Sequence, residues 1–217
     1  MIKKYFLLLL AAILLTGVHG QNRQVDLSQN IPLQDILKKA KKQKKHVLLD
    51  FGSPRCSPCL FIKNKIFTID SVADFINERF VSVDYTEGPE KKRLSKIYEV
   101  YTEPVLLICD ANGKVMHRME GKCTAGEMMA RLRQGLDVKN NLTAQKLMYD
   151  NGNRSSEFLI NYLETLHIAG LRTQRDSVLH NIFSLSFHVD SLKTPKYWNV
   201  FLRYNESPVS QEGRYVF

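Results

Sequence analysis

Long apolar runs are nearly absent from this chain of 217 residues. The one candidate, Tyr5 to Leu15, falls short of the roughly 18 apolar residues that a membrane anchor needs. Nothing in the rest of the sequence suggests a membrane bundle. Metal-ligand patterns are equally scarce. There is one Cys-x-x-Cys, and the remaining cysteines, Cys109 and Cys123, stand 14 positions apart, so a structural zinc site lacks its second pair. Six histidines are scattered without ligand spacing. No metal and no organic cofactor are assigned. No aromatic residues interleave the one dense basic run, which argues against a nucleic-acid partner.

What is present suits one or two globular domains with a real core: 44% of residues are hydrophobic and 24% charged. Lys3 and Lys4 precede the apolar run, and Thr16-Gly17-Val18-His19-Gly20 follows it with small residues suited to cleavage. This pattern predicts a secretory signal peptide over residues 1–20, with a mature chain starting near Gln21. No cysteine stands by the cleavage point to accept a lipid. The mature protein is therefore expected to be periplasmic and not membrane-spanning. Removing Lys3 and Lys4 takes the net charge from +9 to +7. Much of the remaining excess is local, since Lys38, Lys39, Lys41, Lys42, Lys44 and Lys45 fall within eight positions. Ile36, Leu37 and Ala40 supply an apolar side to the same segment, so the run reads as the solvated face of a helix.

The chemistry concentrates in Asp50-Phe51-Gly52-Ser53-Pro54-Arg55-Cys56-Ser57-Pro58-Cys59. An apolar run ends at Leu49 and another begins at Leu60, which predicts strand, tight turn and helix. A helix starting at or just before Cys56 places its thiol where unpaired backbone N–H groups and the positive dipole end favour a thiolate. Cys59 lies three residues on, on the same helical face. Two thiols so placed can close and reopen a small disulfide ring. Arg55 adds positive charge beside Cys56. Asp50 sits in an otherwise apolar strand, where burial raises a carboxyl pKa.

Taken in order, Val25 to Ile31 is a lead-in, and Pro32 to Asp35 opens the lysine-rich helix. His46 to Phe51 is a buried strand, a helix runs on from Cys59 to Ile66, and a further one covers Ser71 to Glu78. Phe80 to Asp84 reads as a strand and Glu90 to Tyr98 as a charged helix. Pro104 to Cys109 and Lys114 to Met119 form a hairpin about Asp110-Ala111-Asn112-Gly113, and a helix after Thr124 ends near Leu136. With this order of elements and the Cys-Ser-Pro-Cys motif, residues from about 30 to 137 resemble a thioredoxin-fold domain, in the branch of secreted thioredoxin-like proteins. Asp50 six residues before Cys56, and Pro104 opening the hairpin, belong to the same resemblance.

The resemblance implies an α/β fold, a central mixed sheet flanked by helices. It makes Cys56 the attacking thiol, Cys59 the resolving one and Asp50 the proton acceptor for Cys59. Pro104 is implied to be a cis-proline facing the pair, with Gly121 bordering the substrate groove. Two positions depart from the family pattern, in which an aromatic residue usually stands at Arg55 and an apolar residue or Thr at Glu103. If Glu103 lies near Cys56 it raises the thiol pKa, against Arg55. Cys109 reads as an inert buried thiol, and Cys123 as either a packed loop residue or an extra redox thiol.

Domain limits follow as 21–139 for this unit and 140–217 for a small helical subdomain. In the latter, stripes carry Phe158, Leu159, Tyr162, Leu163 and Leu166, then Val178, Leu179, Ile182 and Phe183, then Tyr197, Trp198, Phe201 and Leu202. These read as mutual core. Tyr215-Val216-Phe217 is apolar for a free terminus, so a longer natural chain is expected. The functional expectation is a periplasmic thiol–disulfide oxidoreductase, more a reductase than an oxidase or isomerase. Its expected partners are protein thiols and disulfides, with a membrane or periplasmic redox protein to reset it. The alternative is a non-catalytic binding module on the same fold.

Overall fold

The computed structural model describes residues 23–186 and 194–204. The expected signal peptide, Phe187 and the Tyr215–Phe217 end lie outside the described residues. A five-stranded mixed sheet forms the centre, in the order β1-β3-β2-β4-β5. Strands β2 (His46–Phe51) and β3 (Phe80–Tyr85) run parallel, and β4 (Val105–Cys109) and β5 (Val115–Glu120) form the hairpin that extends the sheet antiparallel from β2. The short β1 (Leu27–Gln29) lies parallel to the outer side of β3. Sequence reading takes this stretch as a lead-in, because three residues are too few to show a period; the open edge of β3 makes it a strand.

Strand alternation sorts the side chains into two cores. Leu48, Leu106 and Ile108 face α2 (Ser57–Phe61), the π-helical turn Ile62–Ile66, α3 (Asp70–Arg79) and α5 (Ala125–Leu136). Val47, Leu49, Phe51, Val83, Tyr85, Leu107 and Cys109 face α1 (Leu33–Gln43) and α4 (Gly88–Ile97). All six residues of β3 are buried, as a strand covered on both faces requires. On α1, Leu33, Ile36 and Ala40 go inward while Lys38, Lys39, Lys41, Lys42 and Lys44 are exposed, so the basic run is a solvated face. Lys45 donates to the carbonyl of Asn77. A capping box of Thr124 and Glu127 starts α5.

Four more helices follow: α6 (Leu142–Asp150), α7 (Ser156–Ile168), α8 (Arg172–Ser186) and α9 (Pro195–Tyr204). They share a core of Leu159, Tyr162, Leu163 and Leu166 with Val178, Leu179, Ile182, Phe183, Val200, Phe201 and Tyr204. One expectation is corrected here. Trp198 and Leu202 are 39% and 60% exposed, because the buried face of α9 runs through Val200, Phe201 and Tyr204 and a residue pair four apart on the opposite side turns out.

These helices also cover the edge of the sheet. Thr143 Oγ1 donates to the carbonyl of Val115 at 2.9 Å, and the backbone N–H of Leu142 donates to Nδ1 of buried His117 at 3.2 Å. Arg118, 8% exposed, donates through Nε to the carbonyl of Ala169 at 2.9 Å and pairs with Glu120 at 3.6 Å. Gly170 turns the chain out of α7 at φ +69°, and a Cβ there would collide with the Glu120 carboxylate. Arg118→Met strands that carboxylate and the Ala169 carbonyl with no charge partner. It is expected to lower stability by about 3 kcal/mol, the usual cost of breaking a largely buried pair. Denaturant unfolding, with protease cleavage of the α7–α8 junction as a local probe, checks this; an unchanged midpoint places the tie elsewhere.

Candidate active site

The apolar stretch of β2 ends at Phe51, and Gly52 continues its pairing by donating to the carbonyl of Tyr85 at 3.2 Å. The chain then turns into α2, whose N-cap is Cys56. Its Sγ accepts from the backbone N–H of Cys59 at 3.2 Å, so the sulfur stands where a helix start leaves donors unpaired. Pro58 sits in the first turn, where its missing N–H leaves no acceptor unserved. Cys56 and Cys59 are joined by a disulfide, with Cα atoms 5.2 Å apart. Cys56 is half-buried, whereas Cys59 is 2% exposed. A Cβ on Gly52 would stand 3.1 Å from Cys59 Sγ, so the strand end approaches the inner sulfur closely only without a side chain.

Asp50 is two residues before Gly52 on the same side of the strand, and is 2% exposed. Its pKa is raised to about 7, first by burial and then by the neighbouring Asp84 carboxylate; Lys63 opposes the shift and Glu103 adds to it. Asp84 is the register partner of Asp50 on β3, and Lys63 reaches it from the π-helical turn to form an ion pair. Neither Asp84 nor Lys63 stands out in the sequence as a site residue. The available signal was a second carboxylate at a buried position of β3, since a buried charge demands a partner.

Opposite the disulfide, the Glu103–Pro104 peptide bond is cis and Pro104 is buried. A carboxylate oxygen of Glu103 and the two sulfurs all lie within 4.8 Å of one another. Lys91 Nζ donates to Glu103 Oε1 at 2.5 Å and to the carbonyls of Gly52 and Thr86 at 2.7 and 3.1 Å. Burial alone would raise the Glu103 pKa, but hydrogen bonds from Lys91 and Ser53 hold it below the usual range. Glu103 is thus an anion at the sulfurs. Gly121 donates its N–H to the carbonyl of Pro104 at 3.0 Å, which places it beside the cis-proline. Arg55 is exposed. Lys91 is a further residue that sequence reading passed over, as one lysine of a charged helix.

Cys109 and Cys123 are both buried. Burial pushes the Cys109 thiol up to about 12 and raises that of Cys123, and Cys123 packs in the core beside Met128 and Leu132. Among the described residues, the group close enough to share a metal is Cys56, Cys59 and Glu103. The two sulfurs are bonded to one another and the carboxylate is held by Lys91, so no metal is assigned.

The family model for the thioredoxin-like domain matches residues 33–136. Residues 33–136 form a thioredoxin-like domain. Among solved structures, a candidate disulphide-isomerase from Bacteroides thetaiotaomicron is similar at 27% identity and a TM-score of 0.50, over 54% of this chain and 98% of that one. A thioredoxin from Thermus thermophilus is similar at 22% identity and a TM-score of 0.47, over 55% and 93%. A DsbH oxidoreductase matches at 20% and 0.44, over 57% and 93%. A search of curated proteins returns no match. The fold is therefore that of a thioredoxin-like domain, with a bonded Cys56–Cys59 pair at the start of its α2 helix and further helices after the matched region.

Burial of Asp50 has a measurable consequence for stability. Its folded pKa of about 7 lies above the ordinary carboxyl value of 3.8, so its contribution is fully favourable below the unfolded pKa and is lost as pH rises through the folded one. Asp50→Asn removes the charge and is expected to stabilise the oxidised protein at pH 8, by at most roughly 4 kcal/mol. The gain should shrink toward nothing near pH 4. Denaturant unfolding across that range checks it, and a gain independent of pH would show that Asp50 is not the titrating group.

Proposed function

We propose that the protein is an exported thiol–disulfide oxidoreductase that reduces disulfides in other proteins. The observation that carries this reading is the pairing of a half-buried cysteine at a helix N-cap with a fully buried one, packed against the end of a strand whose buried carboxyl titrates near neutrality. In the reduced protein, Cys56 thiolate attacks one sulfur of a substrate disulfide, and the other sulfur leaves as a thiolate. Asp50 takes the proton of Cys59. The Cys59 thiolate then attacks Cys56 Sγ, closing the enzyme disulfide and releasing the second substrate thiolate, which takes up a proton. The substrate gains two electrons and the enzyme loses two. A membrane or periplasmic redox partner resets the pair. Pro104 and Gly121 form the edge along which the substrate backbone lies, and Glu103 with Arg55 sets the charge it meets.

Charge supports the reductase direction. An anion at the sulfurs disfavours the thiolate, hence the reduced form, and so makes the couple more reducing. Glu103 is close and partly buried, whereas Arg55 is exposed and its effect is weakened by solvent. A second reading, disulfide isomerase, is favoured by what the Bacteroides thetaiotaomicron relative is described to be. Export rests on the N-terminal charge and apolar pattern. Among the described residues, no helix is long and apolar enough to cross a membrane.

Redox titration of the mature protein separates the directions. A reductase should have a potential below roughly −220 mV, and one near −120 mV would mark an oxidase. In the reduced protein, alkylation should label Cys56 first and leave Cys109 and Cys123 intact. Cys59→Ser should accumulate mixed disulfides with protein substrates, and Cys56→Ser should not. Equal labelling of Cys59 would reject the assignment of roles.

A further inference from the structure

A second carboxylate stands beside Asp50, and the steps above do not use it. Asp50 and Asp84 are register partners on adjacent parallel strands, which lie roughly 4.8 Å apart and point in-register side chains to the same face. Each is 2% exposed. Asp84 Oδ2 is held by Lys63, in an ion pair whose side chains are 19% and 3% exposed. Among the described residues, Asp84 Oδ1 has no hydrogen-bond partner, nor does Ser82 Oγ two residues earlier on the same strand. A carboxyl that binds a proton thus has beside it a buried carboxylate oxygen with unfilled lone pairs.

Two carboxylates this close in a dry site repel one another when both carry charge. The lysine breaks the symmetry. Bound to Asp84, it holds the charge there and leaves the proton to Asp50, the member that shares its strand face with Gly52 against Cys59. We propose that Lys63 and Asp84 are positioning residues for the proton that Cys59 gives up: Lys63 holds the Asp84 carboxylate in an ion pair, and that carboxylate directs the proton to Asp50 and sets the pH at which Asp50 takes it. This rests on the reading of Asp50 as the proton acceptor. The charged groups acting on Asp50 are Asp84 from β3, Lys63 from the π-helical turn and Glu103 from the segment before β4; Cys59 from α2 meets Gly52, two residues on along the same strand face, and β4 brings apolar Leu106 opposite. Glu103 is tied to Lys91, so Lys63 and Asp84 are the groups through which the Asp50 titration is adjusted.

The test uses the full mature chain. The Asp50 carboxyl is titrated by 13C NMR in the oxidised protein, and the rate of mixed-disulfide resolution is followed from pH 5 to 9 in the reduced one. Asp84→Asn should move both the Asp50 titration and the acid limb of the rate down by on the order of one pH unit, about tenfold in proton affinity. Lys63→Met should move both up by a similar amount, and Lys63→Arg should leave them in place. Where Lys63→Met does not fold, nearly isosteric Asp84→Asn carries the test. Rates lowered equally at every pH, with the Asp50 titration unmoved, would show that Lys63 and Asp84 only hold the fold and would overturn the proposal. An Asp50→Asn protein that keeps the parent's acid limb would instead remove the base reading, and the proposal with it. The carboxyl titrations tell the two failures apart, since they move only if Asp84 and Lys63 act on Asp50.

Discussion

Asp50 is buried in the middle strand of a sheet covered on both faces, and most of the site's construction answers that one carboxyl. A lone charge there would be costly enough that the group takes up a proton instead. The parallel neighbour β3 places a second carboxylate alongside, which strengthens the bias, and Lys63 limits it. The result is an acid poised near neutrality, where a proton acceptor for a thiol is most useful. Gly52 completes the arrangement by letting the inner sulfur pack directly over the strand end. The π-helical turn after α2 has a role here too, because it delivers Lys63 from the helix that carries the cysteines.

The two sulfurs differ in their surroundings more than their spacing suggests. Cys56 holds the N-cap and meets solvent, while Cys59 lies against Gly52 in the interior. Two charges flank the pair. Arg55 is adjacent in the chain but exposed, and exposed charges at such a position contribute about 1 kcal/mol or less. Glu103 is distant in the chain but partly buried at the sulfurs, held by a lysine that also binds the carbonyls of Gly52 and Thr86. Proximity in space therefore outweighs proximity in sequence. Lys91 joins the loop after β2, the loop after β3 and the cis-proline segment, so the anion it positions is part of the frame.

The C-terminal helices solve a separate problem. Strand β5 would otherwise be an open edge with unpaired backbone groups beside an apolar core. Thr143 and Leu142 bond to the β5 backbone and to His117, and Arg118 reaches the end of α7. Burial drives His117 down to about 4, so the ring is neutral at ordinary pH and accepts a backbone N–H. The helices thus have a core of their own and a polar seam to the first domain. The apolar stripes legible in the sequence account for the core; the seam is made of scattered polar residues with no period.

The sequence by itself determined the elements other than β1, the placement of Cys56 at a helix start and the burial of Asp50, because these depend on local patterns: strand alternation, cap chemistry and apolar periodicity. The cis-proline was legible only through family resemblance. The tertiary structure alone decided which charges meet. Asp84 faces Asp50 because the register of two strands separated by a helix puts them side by side, and no local pattern encodes register. Lys63 and Lys91 each stand among other helical lysines, and only packing selects the one whose stem reaches a buried carboxylate. The exposure of Trp198 and Leu202 has the same origin. An apolar stripe wider than its partner surface leaves a remainder outside, and the width of that surface is set by helices elsewhere in the chain.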